Sequence, residues 1–130
     1  MNTKIAFLLA GFGLMAVSGA QSALAQRVTP LQAGKFLQLC KNAKELRACD
    51  AYISGVADSV AYSKMFAKNQ GDANAPAGFC IATSVSGKEM RSKVITWMTA
   101  HSDQLSQPAG ASVFTALHDA YPCPSTKNGK

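Results

Sequence analysis

The sequence lacks several motifs that mark common enzyme and binding classes, and strand-like alternation of apolar and polar residues is nearly absent. No G-x-S-x-G, H-E-x-x-H or P-loop motif is present, so the corresponding hydrolase, metalloprotease and nucleotide-binding sites have no support. No C-x2-C pair occurs, which disfavours zinc. We therefore expect a helical protein that is not an enzyme and has no cofactor or metal.

Charged residues are also few, at 15% of the chain, and they form no block of one sign. The 13 Lys and Arg side chains are scattered and give a net charge of +6 against seven acidic side chains. Since no basic run is interleaved with aromatic residues, a nucleic-acid partner is not predicted. The mild positive charge would suit an acidic protein or an anionic envelope surface, but a solvated surface explains it more simply.

The N-terminus has the pattern of a secretory signal peptide. Lys4 precedes an apolar run over residues 5–17, and Ala23-Leu24-Ala25 gives the small-x-small cleavage pattern. The apolar run is shorter than the roughly 20 residues that span a bilayer, so stable membrane insertion is not predicted. We expect residues 1–25 to be cleaved and residues 26–130 to fold in the periplasm as a single small domain with a frayed tail at 127–130.

Apolar side chains at helical spacing predict an all-α fold, a small disulfide-stapled bundle of about four helices. Two helix starts have the capping-box pattern, one with Thr29 and Gln32, the other with Ser86 and Glu89. Gly55 interrupts the longest apolar stripe, which predicts a close helix crossing at that residue. The predicted helices cover about residues 30–41, 44–68, 87–100 and 108–121. The predicted inner positions are Leu31, Phe36, Leu39, Cys40, Leu46, Cys49, Ile53, Val56, Val60, Ala67, Met90, Val94, Trp97, Met98, Val113, Phe114, Leu117 and Tyr121.

Four cysteines in an exported chain predict two disulfides. Cys40 ends the first predicted helix and Cys49 begins the second, whereas Cys80 precedes the third helix and Cys123 follows the fourth. Bridges within each helical hairpin, Cys40–Cys49 and Cys80–Cys123, are therefore favoured. The alternative joins the hairpins as Cys40–Cys123 and Cys49–Cys80.

Candidate catalytic groups are few. Asp50 and Asp58 lie about two turns apart on one predicted helix and could form a carboxylate pair, although surface acids explain them more simply. Asp58 adjoins the apolar stripe and could cap a neighbouring helix end. His101 follows the third helix as a cap or surface group, and His118 sits late in the last helix, where a cation interacts well with the helix dipole.

The order of these residues resembles the Rap/Tai family of immunity proteins. The matching segments are Leu39-Cys40, the C-x-x-Y-I-x-G-x-x-D run from Cys49 to Asp58, Phe79-Cys80-Ile81 and Tyr121-Pro122-Cys123. They span about residues 30–123. The resemblance implies a small, helical, disulfide-bonded periplasmic protein. Characterised members neutralise cell-wall amidase toxins delivered by type VI secretion, binding the toxin and blocking its active site.

The resemblance favours a protein toxin, a cell-wall amidase, as the partner. A periplasmic stress or chaperone-like protein without a toxin partner is the alternative, and an envelope enzyme is disfavoured for want of a nucleophile–base arrangement. The sequence leaves the oligomeric state open, a homodimer included.

Residues 69–78 are rich in turn formers and contain no large apolar side chain, so they predict an exposed loop. Loops held by a rigid scaffold often carry recognition residues. This loop is therefore the candidate segment for binding the partner, and an idle surface loop is the alternative. The candidate binding residues are Asn69, Gln70, Asp72 and Asn74.

Overall fold

A computed structural model describes residues 27–124, and within this range the chain forms four α-helices and no strand. The helices are α1 (Ala33–Lys41), α2 (Leu46–Asn69), α3 (Gly87–Ala100) and α4 (Ala109–Ala120). A short 3-10 helix, Ser102–Gln104, follows α3. The predicted all-α class with four helices is confirmed. The predicted signal peptide and the predicted frayed tail at 127–130 lie outside the described residues.

The start of α1 differs from the prediction. The helix begins at Ala33, with Gln32 as an N-cap whose side chain makes no capping hydrogen bond, so the predicted Thr29 capping box is wrong. Gln32 instead forms an isolated β-bridge with Pro108. The Ala33 amide donates to the Gln107 carbonyl over 2.9 Å. An amide left free at the helix start is thus satisfied by distant backbone rather than by a local side chain.

The start of α3 follows the predicted pattern. The Ser86 hydroxyl accepts a hydrogen bond from the Glu89 amide over 3.2 Å, which satisfies one of the free donors of the first turn. At the other end, the His101 amide donates to the Trp97 carbonyl. α4 lies between Pro108 and Tyr121, in agreement with the predicted 108–121 segment.

Two disulfides join the helices as the favoured pairing predicted. Cys40–Cys49 links the end of α1 to the start of α2, and Cys80–Cys123 links the chain before α3 to the chain after α4. The alternative pairing across hairpins is therefore wrong. The bridges close segments of 9 and 43 residues. The longer closed loop removes more conformational entropy from the unfolded chain.

The core lies where the four helices meet. Phe36, Ile53 and Leu117 are almost completely buried, and truncating one such side chain to Ala typically costs about 2–5 kcal/mol. Ala33 and Leu37 are buried without having been predicted inside. The predicted inner positions that are confirmed as buried are Phe36, Cys40, Cys49, Ile53, Met90, Val94, Met98, Val113 and Leu117. Those that are only partly buried are Leu31, Leu39, Leu46, Val56, Val60, Ala67, Trp97 and Tyr121, and Phe114 is exposed.

Gly55 does not mark a helix crossing, so that prediction is wrong. The residue is exposed, and a Cβ atom added to it would meet no other atom within 4 Å. Close approach occurs instead at Gly110, where an added Cβ would lie 3.3 Å from the Tyr52 hydroxyl. The core-facing glycine is therefore on α4, against a side chain of α2.

α2 is much longer than its neighbours. Its 24 residues span about 36 Å, whereas the 9 residues of α1 span about 14 Å. Because the Cys40–Cys49 bridge sets the two helices side by side at the shared turn, α1 covers only the first half of α2. The C-terminal half of α2 contributes no residue to the buried core, and it leads directly into the predicted binding loop.

Candidate functional site

The C-terminal half of α2 presents a large apolar face to solvent. Tyr62, Met65 and Phe66 are 64%, 51% and 65% exposed, and their spacing of three and four residues places them on one side of the helix. We call these three residues the α2 apolar face. The helical pattern did not lead us to predict this face, although the sequence contains it. The three apolar side chains lie outside the predicted apolar stripe that runs through Cys49 and Ile53.

The end of α2 is fixed by glycine. Gly71 has a φ of 94°, in the left-handed region that glycine adopts without strain. The Gly71 amide donates to the Lys68 carbonyl and the Asp72 amide to the Ala67 carbonyl, both over 3.0 Å. This is the Schellman arrangement, which satisfies the last helical carbonyls and turns the chain sharply.

The segment at residues 70–78, called the 70–78 loop below, follows this turn. Its start is one residue later than predicted, because Asn69 is still helical. The four predicted binding residues, Asn69, Gln70, Asp72 and Asn74, are all exposed. They lie within six residues of one another on the final α2 residue and the loop, so one partner could contact all of them.

The middle of the loop is held by α2. The Lys64 ammonium donates to the Ala73 carbonyl over 3.0 Å and also to the Ala75 carbonyl. The Ala75 amide donates to the Asp72 carbonyl over 3.3 Å, which closes a turn within the loop. The loop therefore lies against the last turns of α2.

The far end of the loop is held by α4. His118 Nδ1 contacts the Gly78 carbonyl, and since a carbonyl can only accept, that nitrogen carries the proton. Phe114 covers Gly78, and its ring centroid lies 5.4 Å from that of the buried Phe79. The next residue, Cys80, forms the bridge to Cys123. His118 lies in the last turn of α4, as predicted, and it also has a tethering contact that the sequence did not indicate.

A groove of about 430 Å³ lies between the second half of α2 and the chain that follows the loop. Its walls are mainly apolar, with Asp58, Lys64 and Thr83 as polar members. Asp58 is its single carboxylate. The predicted role of Asp58 as a cap for a neighbouring helix is not seen among the described hydrogen bonds. The groove can accept an apolar side chain but offers no acid–base pair.

The other candidate catalytic groups are separated from one another. Asp50 forms a salt bridge with Arg91 of α3, with 2.6 Å between Arg91 Nη1 and Asp50 Oδ1. Its eight-residue separation from Asp58 is about 12 Å along the helix axis, so the two do not form a carboxylate pair. His101 stacks on Trp97, with 4.1 Å between ring centroids, and its Nδ1 contacts the Trp97 carbonyl.

Two tyrosines have altered acidity but do not form a reactive site. Burial raises the pKa of Tyr52, whose ring packs on Phe36. Burial also raises the pKa of Tyr121, and the negative charge of the Glu89 carboxylate raises it further. Residues 27–124 contain no free cysteine and no group of three metal-ligating side chains. No helix in that range has the length and apolar character needed to cross a membrane.

These features define a class of protein: a small, disulfide-bonded helical bundle that displays a tethered, exposed loop. The model of the Rap1a immunity proteins matches residues 32–123, and the chain belongs to that family. No curated protein and no solved structure gives a significant match. The match includes all four helices and both disulfides, so the predicted family is confirmed.

Proposed function

We propose that the chain is a periplasmic immunity protein that binds a peptidoglycan amidase toxin and blocks its active site. Membership of the Rap1a immunity proteins supports a toxin partner. The signal-peptide pattern and the two disulfides support an oxidising compartment outside the cytoplasm. Delivery of the toxin by type VI secretion belongs to the same proposal and rests on the family resemblance.

The observation that carries the blocking mechanism is the three-point attachment of the 70–78 loop. The loop is polar and exposed, and it is fixed at its start by Gly71, in its middle by Lys64 and at its end by His118. A loop that is already ordered in the free protein loses little conformational entropy on binding, and this favours affinity. Such a loop is also narrow enough to enter an enzyme cleft, whereas the flank of a helix is broader.

The first test asks whether a partner exists. A secreted cell-wall amidase is sought among the genes beside this one, and the purified mature chain is titrated by calorimetry with the catalytic domain of that enzyme. We expect one binding event and loss of amidase activity on purified peptidoglycan. Binding without inhibition would contradict the blocking mechanism, and absence of binding would contradict the choice of partner.

The second test locates the binding face. The double variant Asp72→Ala, Asn74→Ala should weaken binding by tenfold or more, about 1.4 kcal/mol, with an unchanged melting temperature. The matched control is Asp103→Ala, Gln107→Ala, which removes one carboxylate and one amide from the exposed connection between α3 and α4. If both double variants bind like the parent, the loop is not the recognition site.

A stress or chaperone-like function is the second candidate, and the α2 apolar face is the observation that favours it. Exposed apolar surface is what a chaperone uses to hold unfolded chains. In that case the protein would suppress aggregation of a reduced, unfolded test protein at substoichiometric levels, and Phe66→Ser would abolish the effect. Amidase inhibition without any suppression of aggregation would reject this candidate.

The α2 apolar face is also a surface through which two copies of the chain could pair. Its three side chains expose roughly 300–400 Å² in total, given the 150–250 Å² surface of a large side chain. Two copies paired through this face alone would bury less than the roughly 1,000 Å² that a stable interface needs. We therefore propose that a homodimer built only on this face is weak. Light scattering across a concentration series measures it.

A further inference from the structure

We infer that Lys64 is a positioning residue for partner recognition: its ammonium group fixes the middle of the 70–78 loop and so presents Asn74. This inference rests on the proposed function and deepens it. It assigns a role to a side chain outside the loop, on a helix, where it need not touch the partner.

The loop needs such a contact because it has no apolar anchor of its own. Residues 70–78 contain Gly, Ala, Pro and small polar side chains, with nothing large enough to reach the core. Gly71 fixes one end through the helix-terminal turn, and His118 with the Cys80–Cys123 bridge fixes the other. Among the described contacts, only Lys64 joins the backbone between Asp72 and Pro76 to a helix.

The geometry of Lys64 suits this role. The residue is half-buried, and it lines the apolar groove beneath the loop, so its methylene chain has apolar neighbours while its ammonium reaches the carbonyls. Hydrogen bonds from a charged donor are stronger than those between neutral groups. Lys68, one turn later on the same helix, is exposed, and its ammonium group makes no hydrogen bond to the described residues.

Asn74 lies between the two carbonyls that Lys64 holds. The peptide unit before Asn74 is held through the Ala73 carbonyl, which accepts from Lys64, and the unit after Asn74 is held through the Ala75 amide, which donates to the Asp72 carbonyl. The contact of Lys64 with the Ala75 carbonyl supports that second unit from the next peptide along the chain. The exposed side chain of Asn74 therefore leaves the backbone in a set direction. Lys64 acts through Asn74, and its loss should reduce what Asn74 contributes to binding.

The test on the free protein compares Lys64→Met with Lys68→Met. Both variants remove one positive charge from the same helix and keep a chain of similar length. Amide hydrogen exchange by NMR should show the Ala75 amide exchanging on the order of tenfold faster in Lys64→Met, because its hydrogen bond to Asp72 is no longer supported. Lys68→Met should exchange like the parent, and Lys64→Arg should restore slow exchange.

Three results on the free protein would overturn the inference: unchanged exchange at Ala75 in Lys64→Met, an equal increase in Lys68→Met, or a loss of protection throughout the core. The last result would assign Lys64 a global structural role instead. None of these outcomes depends on a partner, so they decide the inference even if the proposed function fails.

The second arm measures binding to the same neighbouring amidase by calorimetry. Lys64→Met should weaken binding about tenfold, and Asn74→Ala should then have a smaller effect in the Lys64→Met background than in the parent. Full additivity of the two substitutions would overturn the claim that Lys64 acts through Asn74. If the parent itself does not bind the amidase, the proposed function fails while the exchange result on Lys64 stands.

Discussion

His118 on α4 donates a hydrogen bond to the carbonyl of Gly78, forty residues earlier, and so ties the end of the exposed loop to the last turn of another helix. The ring of Phe114 lies roughly parallel to that of His118, at 9° and with 6.4 Å between centroids, on the same face of α4. One helix therefore supplies both the polar tether and the apolar cover for the point where the loop rejoins the core.

Removing this tether should loosen the loop more than it destabilises the fold. His118→Ala deletes one exposed hydrogen bond, so the free energy of unfolding should fall by about 1 kcal/mol or less. Exchange of amides near Gly78 should rise, as measured by hydrogen–deuterium exchange on peptides covering residues 76–80. His101→Ala, which removes the other histidine, should leave that peptide unchanged. A similar rise in both variants would contradict the tether.

Gly78→Ala should be destabilising because of one neighbour. An added Cβ would lie 2.3 Å from Phe114 Cζ, so the ring must move away from its place over the loop. We expect a cost of about 1 kcal/mol, the low end of the range for overpacking, because Phe114 is 39% exposed and its ring can turn aside. In a Phe114→Ala background the same substitution should cost little, and a double-mutant cycle by urea denaturation measures the difference. Equal costs in both backgrounds would mean that Phe114 is not the obstacle.

The two disulfides should differ in what they contribute. The chain-entropy relation gives about 4 kcal/mol for the 43-residue segment closed by Cys80–Cys123 and about 2.6 kcal/mol for the 9-residue segment closed by Cys40–Cys49. The double Cys→Ser variant of the longer bridge should therefore melt at the lower temperature, as differential scanning calorimetry would show. The reverse order would indicate that local structure already holds residues 80 and 123 together in the unfolded chain.

Substitution of Phe36 should cost far more stability than substitution of Phe66. Phe36 is 1% exposed, so Phe36→Ala should cost about 3–5 kcal/mol. Phe66 is 65% exposed on the α2 apolar face, so Phe66→Ser should change stability by about 0.5 kcal/mol or less and should lower binding of a fluorescent hydrophobic dye. A large loss of stability in Phe66→Ser would mean that this face packs against part of the protein.

Stability should fall at alkaline pH, and Tyr121 should account for part of the fall. The pKa of Tyr121 is raised above 10.0 by burial and by Glu89, so the folded state holds the phenol proton more tightly than the unfolded state. The associated stability is complete below pH ~10 and is lost as the pH rises above that value. At pH 7 the neutral phenol lies near the Glu89 carboxylate but makes no hydrogen bond of good geometry, so Tyr121→Phe should change stability by about 1 kcal/mol or less.

Urea denaturation of Tyr121→Phe at pH 7 and pH 10.5 measures both effects. The variant should lose less stability than the parent between the two values. Tyr62→Phe, which alters an exposed phenol on α2, is the matched control and should follow the parent. If Tyr121→Phe loses as much stability as the parent between pH 7 and pH 10.5, ionisation of Tyr121 does not contribute to the alkaline loss of stability.

Local signals in the sequence were enough to predict much of the fold. The Ser86–Glu89 pattern predicted the start of α3, and helical spacing predicted burial of Cys49 and Ile53, because both depend on residues within one or two turns. The disulfide pairing followed from the order of helices and cysteines.

Features that depend on distant residues could not be predicted. The Thr29 cap failed because the chain before α1 pairs with the segment before α4. The apolar stripe of α2 continues past Ile53, but α1 is too short to cover it, and periodicity carries no information about the length of a neighbour. The exposed loop was predictable from its composition. The contacts of Lys64 and His118 that fix it depend on backbone direction, and no pattern in the sequence reveals that.

The order of the disulfides has a consequence for how the chain matures. The cysteines pair in consecutive order along the chain, first Cys40 with Cys49 and then Cys80 with Cys123. A chain that emerges N-terminus first into an oxidising compartment, as the leader pattern predicts, presents its cysteines in that same sequence. An oxidase that joins each thiol to the next one to appear would therefore form both native bridges directly, without a reshuffling step.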